Sequence, residues 1–456
     1  MSGRHSFVRD AVAPMVRLAL PVIAAELGWI AMGVVDTLMV SPLGPAALGG
    51  TGIGSTLFIA VGMFGMGLLL GLDTTVAQAH GAGDQDACDR WLASGVWLSA
   101  LATPPLAVLL WGVYRALPWF GFHPDVLPYL QAYLPIVALS LPPLLLYACL
   151  RRYLQALSHT GVIAFALVSA NLVNLLGNYL LIHGVGPLPA LGVAGSAWAT
   201  VLARVYMVGV LAWAVWWRHR RVTGRPAGTW RLAPERLGHL LALGLPAAAH
   251  LTFEVGVFTA VTALAGQLPP HSLAAHHIAL SIISVVYMVP LGLSSAAAVL
   301  VGQHVGRGDA EGAARAGWAA IVIVLGVMTA AALALVLAPG PWIGLFTSDA
   351  RVIAIGARLL AVAAAFQVFD GLQVTTTGAL RGLGETRVPM VISLIGYWLS
   401  GLPLGWLLCF RWGYGVVGLW LGLAASLLLV GSALLVLWRR RVGTVAFLRP
   451  VVTATG

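Results

Sequence analysis

Long apolar runs, each about the length needed to cross a lipid bilayer, follow one another along the whole chain. A transmembrane helix needs about 20 predominantly apolar residues, and the Pro and Gly within several runs are tolerated where neighbouring helices satisfy the backbone. The pattern predicts an all-α polytopic membrane protein with twelve transmembrane helices, at 11–39, 46–79, 91–114, 126–150, 161–183, 190–217, 238–266, 272–302, 315–338, 351–379, 388–410 and 414–438.

The composition agrees with this prediction. Of the 456 residues, 60% are hydrophobic and 9% are charged, and the mean hydropathy is +0.93. A soluble fold cannot bury so much apolar surface, so the solvent is lipid. The cysteines, Cys88, Cys149 and Cys409, are too far apart to suggest a disulfide framework or a zinc site. The first apolar run lacks a small-residue cleavage site, so we expect it to be the first span rather than a signal peptide.

The basic residues indicate the orientation. The net charge is +10 and every basic residue is Arg, a composition typical of GC-rich bacteria. With twelve spans, the termini and even-numbered loops lie on one side and hold 20 Arg, whereas the odd-numbered loops hold four. The positive-inside rule then predicts that both termini are cytoplasmic, and it explains the charge without nucleic acid. Together with the composition, this predicts a multi-pass protein of the bacterial inner (plasma) membrane. The basic segment 218–237 is interpreted as a cytoplasmic linker, for which contact with anionic lipid would be incidental.

An internal repeat divides the chain into halves. QAHGAGD at 78–84 matches QHVGRGD at 303–309, and GVAG at 192–195 matches GVVG at 415–418. Because each half has six helices, the halves share one topology, which predicts two six-helix lobes related by a parallel repeat. The predicted organisation is an N-lobe, a linker, a C-lobe and a cytoplasmic tail, at 1–217, 218–237, 238–438 and 439–456. Transporters often use such repeats, with a substrate site between bundles that give alternating access.

Several motifs resemble one family. GVVDTLMV with SPLGPAALG, VAQAHGAGD, AAHHIALSIISVVYMVPLG and DGLQVTTTGALRGLGETRVP are similar to the multidrug and toxic compound extrusion (MATE) family. FEVGVFTAV and FDGLQV resemble its NorM branch. The resemblance implies a secondary antiporter that exports organic cations in exchange for Na⁺ or H⁺. It also implies small-molecule cationic substrates, a monomer in membrane lipid, and neither a cofactor nor an obligatory protein partner.

Three carboxylates interrupt the apolar spans: Asp36, Glu254 and Asp370. An ionised group costs several kcal/mol in lipid, so it commonly faces a cavity and marks an ion or substrate path. The alternative is a carboxylate that hydrogen-bonds to a neighbouring helix or lies near an interface. The resemblance implies that all three carry cation coupling or substrate binding, with Na⁺ held at Glu254, Asp370 or Asp36.

Polar residues of two other spans are candidates to support Asp36. Asn171, Asn174 and Asn178 fall on one helical stripe, and each offers a carbonyl oxygen and an NH₂ group. The alternative role is interhelical hydrogen bonding, which is common in membranes. The resemblance assigns Asn174 and Asn178, together with Thr200, to the Asp36 cluster.

Three further positions leave alternatives open. Phe366 stands where the resemblance implies a Tyr beside the sodium site, so it offers a cation–π contact but no hydroxyl. Glu26 has no counterpart in the resemblance and is either an extra protonatable site or, as we favour, a structural group. His276 could titrate, although helix packing explains it better.

Burial favours the protonated form of a carboxyl, so H⁺ or Na⁺ would neutralise these sites and compete with a cationic substrate. Coupling follows if the two ligands stabilise different states.

The alternative function is a lipid-linked precursor flippase of the wider superfamily. No HExxH, GxSxG or Walker pattern is present, so we expect neither an enzyme nor an ATP-driven pump.

Overall fold

The computed structural model describes residues 11–184, 189–222 and 231–443, which form helices joined by short loops and no strand. Eleven helices in this part of the chain are long and apolar enough to cross a membrane, and one bent pair makes a twelfth. The predicted all-α membrane fold is confirmed. The spans are α1 Ala13–Val40, α2 Pro45–Gly81, α3 Gln85–Ala116, α4 in the two segments Leu127–Ala138 and Leu141–Ala156, α5 Thr160–His183, α6 Val193–Val222, α7 Pro234–Ala265, α8 Pro270–Gly306, α9 Ala310–Leu337, α10 Ala350–Gly382, α11 Arg387–Arg411 and α12 Val416–Val442.

Prolines account for the irregular spans. The two segments of α4 meet at an angle of 46°, directly before Pro142 and Pro143, whose missing N–H groups and rings interrupt a straight helix. In α11, π-helical stretches at Leu394–Gly401 and Leu407–Arg411 flank a short α-helical segment. Pro403 at this segment cannot donate a backbone hydrogen bond, and local widening of a helix is a usual response.

The helices form two compact units. The N-unit is Ala24–Ala248, and the C-unit comprises the described residues up to Ile23 and from Ala249 onward. The unit boundaries therefore lie inside α1 and α7, whereas the sequence repeat places the division at 218–237. Of that predicted linker, 223–230 lies outside the described residues, as does 444–456 of the predicted tail.

The ends of α6 and α7 leave fewer linker residues than predicted. α6 continues to Val222 and α7 begins at Pro234. The arginines at 218–221 thus belong to a helix, where their positive charge is favourable at the carboxyl end of the helix dipole.

Helices α1 and α7 each cross a unit boundary. The first turns of each belong to one unit and the rest of the helix belongs to the other. Met15 and Leu18 of α1 are buried in the core of the C-unit. A Cβ on Gly292 of α8 would lie 2.9 Å from the backbone nitrogen of Ile23. In the N-unit, a Cβ on Gly244 of α7 would lie 2.0 Å from the carbonyl oxygen of Leu68. Glycine is therefore required at both crossings, as is typical of close helix packing in membranes.

Two candidate carboxylate sites

The first site, called the N-site, consists of Asp36, Asn174, Asn178 and Thr200 in the N-unit. The Nδ2 atoms of Asn174 and Asn178 donate to Oδ1 of Asp36 at 3.0 and 2.7 Å. Thr200 Oγ1 donates to Oδ2 at 3.2 Å. Three helices, α1, α5 and α6, thus converge on one carboxylate, and all four predicted residues lie together.

Helical spacing and a small residue build the N-site. Asn174 and Asn178 are four residues apart, so both side chains leave the same face of α5. Between them, Gly177 allows α6 to approach, because a Cβ there would lie 3.1 Å from Cβ of Ala199. This close approach brings Thr200, the next residue of α6, to the carboxylate.

Hydrogen-bond donors surround the carboxylate of the N-site. Asn174 and Asn178 are fully buried, and their NH₂ groups are oriented toward Asp36. Their Oδ1 atoms are buried with no hydrogen-bond donor among the described residues. The Asp36 carboxylate is a ligand that a hard cation accepts, and it also accepts a proton.

Asn171, on the same stripe, has a different role. Its Nδ2 donates to the carbonyl oxygens of Gly28 at 3.0 Å and Leu167 at 2.9 Å. It therefore ties α5 to α1 through the backbone and makes no bond to Asp36. Asn171 thus makes the interhelical hydrogen bond, whereas Asn174 and Asn178 contact Asp36.

Arg204 is a polar residue of the N-unit for which the sequence predicted no role. It lies one turn beyond Thr200 on α6 and is 6% exposed. Its guanidinium lies 4.4 Å from the ring centroid of Phe58 and 5.9 Å from that of Trp29, and it donates to Ser140 Oγ. A buried cation inside a span was itself the signal that could have identified it.

The second site, called the C-site, is built around Glu254 of α7. Tyr287 of α8 donates its hydroxyl to Glu254 Oε1 at 2.9 Å. Gln373 of α10 donates Nε2 to the same oxygen at 2.8 Å. The other oxygen, Oε2, lies 3.8 Å from Nε2 of His250, one turn earlier on α7.

Asp370 lies one turn before Gln373 on α10 and shares a cavity with Glu254. The cavity has a volume of about 300 Å³, and its walls combine the two carboxylates with apolar and hydroxyl side chains, among them Phe258, Thr262 and Tyr287. Asp370 is 6% exposed, and its Oδ1 has no hydrogen-bond donor among the described residues. Two acids beside an aromatic wall form a pocket suited to a compact organic cation.

Tyr287, Gln373 and His250 were not predicted as parts of the C-site. For two of them the sequence carried a signal, since Gln373 follows Asp370 by three residues and His250 precedes Glu254 by four, which places each pair on one helical face. Tyr287 gave no such signal, because its contact depends on how α8 packs against α7.

Phe366 does not line the C-site cavity. Its ring is 2% exposed and packs against Trp420 of α12, with the ring centroids 6.0 Å apart. The hydroxyl found in the C-site belongs to Tyr287 of α8.

His276 is held in the packing of three helices. Trp420 Nε1 donates to His276 Nδ1 at 3.0 Å, and the indole can only donate. Nε2 therefore carries the imidazole proton and donates to Thr262 Oγ1 at 2.9 Å, while that hydroxyl donates to the carbonyl of Phe258. The imidazole is neutral with both nitrogens satisfied, which supports a packing role.

Glu26 forms an ion pair with Arg151 of α4, and both are buried. Arg152 next to it lies 3.3 Å from the carboxylate of the fully buried Asp73. The hydrogen bonds of Glu26 thus lead to α4 and not to the N-site, which supports the structural interpretation.

Comparisons with known proteins agree with this architecture. The family model described as MatE matches residues 21–180 and 246–407. A protein of Mesorhizobium japonicum described as "Probable multidrug resistance protein NorM" is 38% identical over 95% of this chain and 94% of its own length. The fold is similar to that of a eukaryotic MATE transporter (TM-score 0.85, 22% identity, 97% of this chain and 99% of the other). It is equally similar to an outward-facing multidrug resistance MATE family transporter of the MOP superfamily (TM-score 0.86, 20% identity, 98% and 99%).

Proposed function

The chain belongs to the MatE family, and we propose that it is a secondary multidrug efflux antiporter that exports organic cations in exchange for Na⁺ or H⁺. It is a transporter rather than an enzyme, acting as a monomer in the bacterial inner membrane with both termini cytoplasmic. The names of its curated relatives, which are multidrug resistance proteins, support this function.

The observation that carries the proposal is the C-site cavity. It places Glu254 and Asp370 in one space of about 300 Å³ beside the aromatic rings of Phe258 and Tyr287. Two negative charges beside aromatic faces attract a cation of moderate size. An anionic lipid headgroup would be repelled by the same acids, so the cavity favours cation export over the flippase alternative.

Exchange follows from the cost of burying these acids. An ionised carboxylate inside a membrane protein needs a counter-charge, which a proton, a sodium ion or a cationic substrate supplies. If a site accepts only one of them at a time, loading with H⁺ or Na⁺ releases the substrate. Asp36 gives the N-unit a carboxylate held by three hydrogen-bond donors, and we assign it to the coupling ion.

The test is transport of a fluorescent organic cation in proteoliposomes, with Na⁺ and H⁺ gradients imposed separately. We expect one gradient to drive uptake into inside-out vesicles and Glu254→Gln, Asp370→Asn or Asp36→Asn to reduce the initial rate at least tenfold, since a buried charged contact is worth at least about 1.5 kcal/mol. The matched control is Asp125→Asn, an exposed carboxylate in the loop before α4, which should transport normally. If neither gradient moves the dye, or if all three acid variants keep full coupled transport, the proposal is wrong.

A further inference from the structure

An open apolar groove lies on the outer face of the N-unit. It has a volume of about 520 Å³ and runs between the first turns of α5, at Gly161 and Phe165, and the later part of α6, at Tyr206, Gly209 and Trp213. Among the described residues, no charged side chain lines it. A Cβ on Gly161 or Gly209 would have no neighbour within 4 Å, so the two glycines create the hollow.

The groove faces lipid rather than the interior of the unit. Phe165 and Trp213 expose 62% and 61% of their surface, although both belong to membrane-spanning helices. Apolar rings exposed at membrane depth meet acyl chains. The hollow between them has a volume of about 520 Å³ and apolar walls, which suits one acyl chain.

One stripe of α6 leads from the groove to positive charge. Trp213, Trp217 and Arg221 are spaced by four residues, so they share a helix face. The rings of Trp213 and Trp217 are stacked with centroids 6.3 Å apart, and the Arg221 guanidinium lies 3.7 Å from the Trp217 ring. The eight residues from Trp213 to Arg221 rise about 12 Å, so the guanidinium lies a short distance beyond the groove.

Arg220 provides a second cation at the same level. Its guanidinium lies 4.3 Å from the ring of Trp216, and both arginines are exposed. Within the described residues neither forms a salt bridge. Stacking on tryptophan holds the two guanidinium planes at the end of the span, where lipid phosphates lie, and leaves their N–H donors available.

From these features we propose that the N-unit binds one anionic phospholipid, with an acyl chain in the groove and the headgroup phosphate on Arg220 and Arg221. The site lies on the arginine-rich side of the membrane, which by the positive-inside rule is the leaflet whose anionic lipids attract basic residues. Arginine suits a phosphate because its fork donates two parallel hydrogen bonds. This contact is more specific than the incidental one expected of a basic linker, because the cations and the groove belong to the same two helices.

The test is native mass spectrometry of the purified full-length chain, titrated with phosphatidylglycerol and, separately, with phosphatidylcholine of the same acyl chains. We expect tighter binding of phosphatidylglycerol, and we expect the double variant R220Q/R221Q to weaken it about tenfold or more, since each interfacial Arg contributes appreciably to anionic lipid binding. The matched control is R439Q/R440Q, which removes two exposed arginines at the end of α12, where the neighbouring Trp438 is buried. The control should bind as the unaltered chain does, within about twofold.

A third variant tests the groove. Gly209→Leu fills the hollow from an exposed helix face, so it should weaken the binding of both lipids and leave the thermal unfolding temperature unchanged. Gly209→Ala is a smaller change and should weaken their binding less. Equal affinity for the two lipids, equal loss in R439Q/R440Q, or unchanged binding to Gly209→Leu would each overturn the proposal. None of these outcomes depends on transport, so the proposed antiport is tested separately.

Discussion

The side-chain nitrogen of Asn178 lies 2.7 Å from Oδ1 of Asp36, and this bond joins α5 to α1 at the only acid of the N-site. It fixes the orientation of the amide, because the same NH₂ group also donates to the backbone carbonyl of Asn174 at 3.0 Å. The carbonyl oxygen of Asn178 is thereby held free of both bonds. A neutral residue thus stabilises the carboxylate through its NH₂ group.

The first prediction concerns this amide. Asn178→Ala removes a hydrogen bond to a charged group, worth about 1.5–3 kcal/mol. We expect the concentration of coupling ion that half-saturates dye transport to rise at least tenfold, with the protein still folded. The measurement is the initial rate in proteoliposomes as a function of the driving ion.

Asn171→Ala is the matched control, because Asn171 lies on the same stripe but donates only to the carbonyls of Gly28 and Leu167. It should lower stability by about 1 kcal/mol and leave the ion dependence unchanged. An equal shift in both variants would mean that the stripe acts only through helix packing.

The N-site could be predicted because helical spacing along a single span is visible in the sequence. The C-site could be predicted only in part. Asp36 interrupts an apolar span, and the helical spacing places Asn174 and Asn178 on one stripe. The resemblance selected these two asparagines from that stripe and added Thr200. The bonds of Tyr287 and Gln373 to Glu254 depend on the packing of three helices, which helical periodicity does not encode.

The fold, like the sites, could be predicted only in part. Hydropathy sets the length of a span, so twelve spans could be predicted with ends close to those observed. The unit boundaries inside α1, after Ile23, and inside α7, after Ala248, could not. The apolar pattern is alike on both sides of each boundary, and the choice of packing partner rests on small contacts such as Gly292 against Ile23.

The second prediction concerns His276. Trp420→Phe removes the donor to Nδ1 and leaves a buried acceptor unsatisfied, which should cost about 1–3 kcal/mol. The pH dependence of dye transport should stay unchanged, because the imidazole is neutral in its hydrogen-bond network. The measurements are the free energy of unfolding by SDS titration and the rate of transport between pH 6 and 8.

Trp406→Phe provides the comparison, because the Trp406 ring on α11 is exposed. It should lower the free energy of unfolding by less than Trp420→Phe does. A shift in the pH profile of Trp420→Phe, absent in Trp406→Phe, would show that His276 titrates during transport and is not merely a packing residue.

The third prediction concerns the buried ion pair of Glu26 and Arg151. Glu26→Gln leaves the guanidinium without its counter-charge, and breaking a buried pair from one side typically costs about 3–5 kcal/mol. The double variant E26L/R151M removes both charges and keeps an apolar volume, so it should be more stable than the single variant.

Arg90→Gln is the control: its pair with Asp84 is 3.5 Å long and about 40% exposed, and such pairs contribute at most about 1 kcal/mol. All three are compared by SDS titration followed by circular dichroism. If Glu26→Gln costs no more than Arg90→Gln yet abolishes proton-driven transport, Glu26 is a coupling site rather than a structural group.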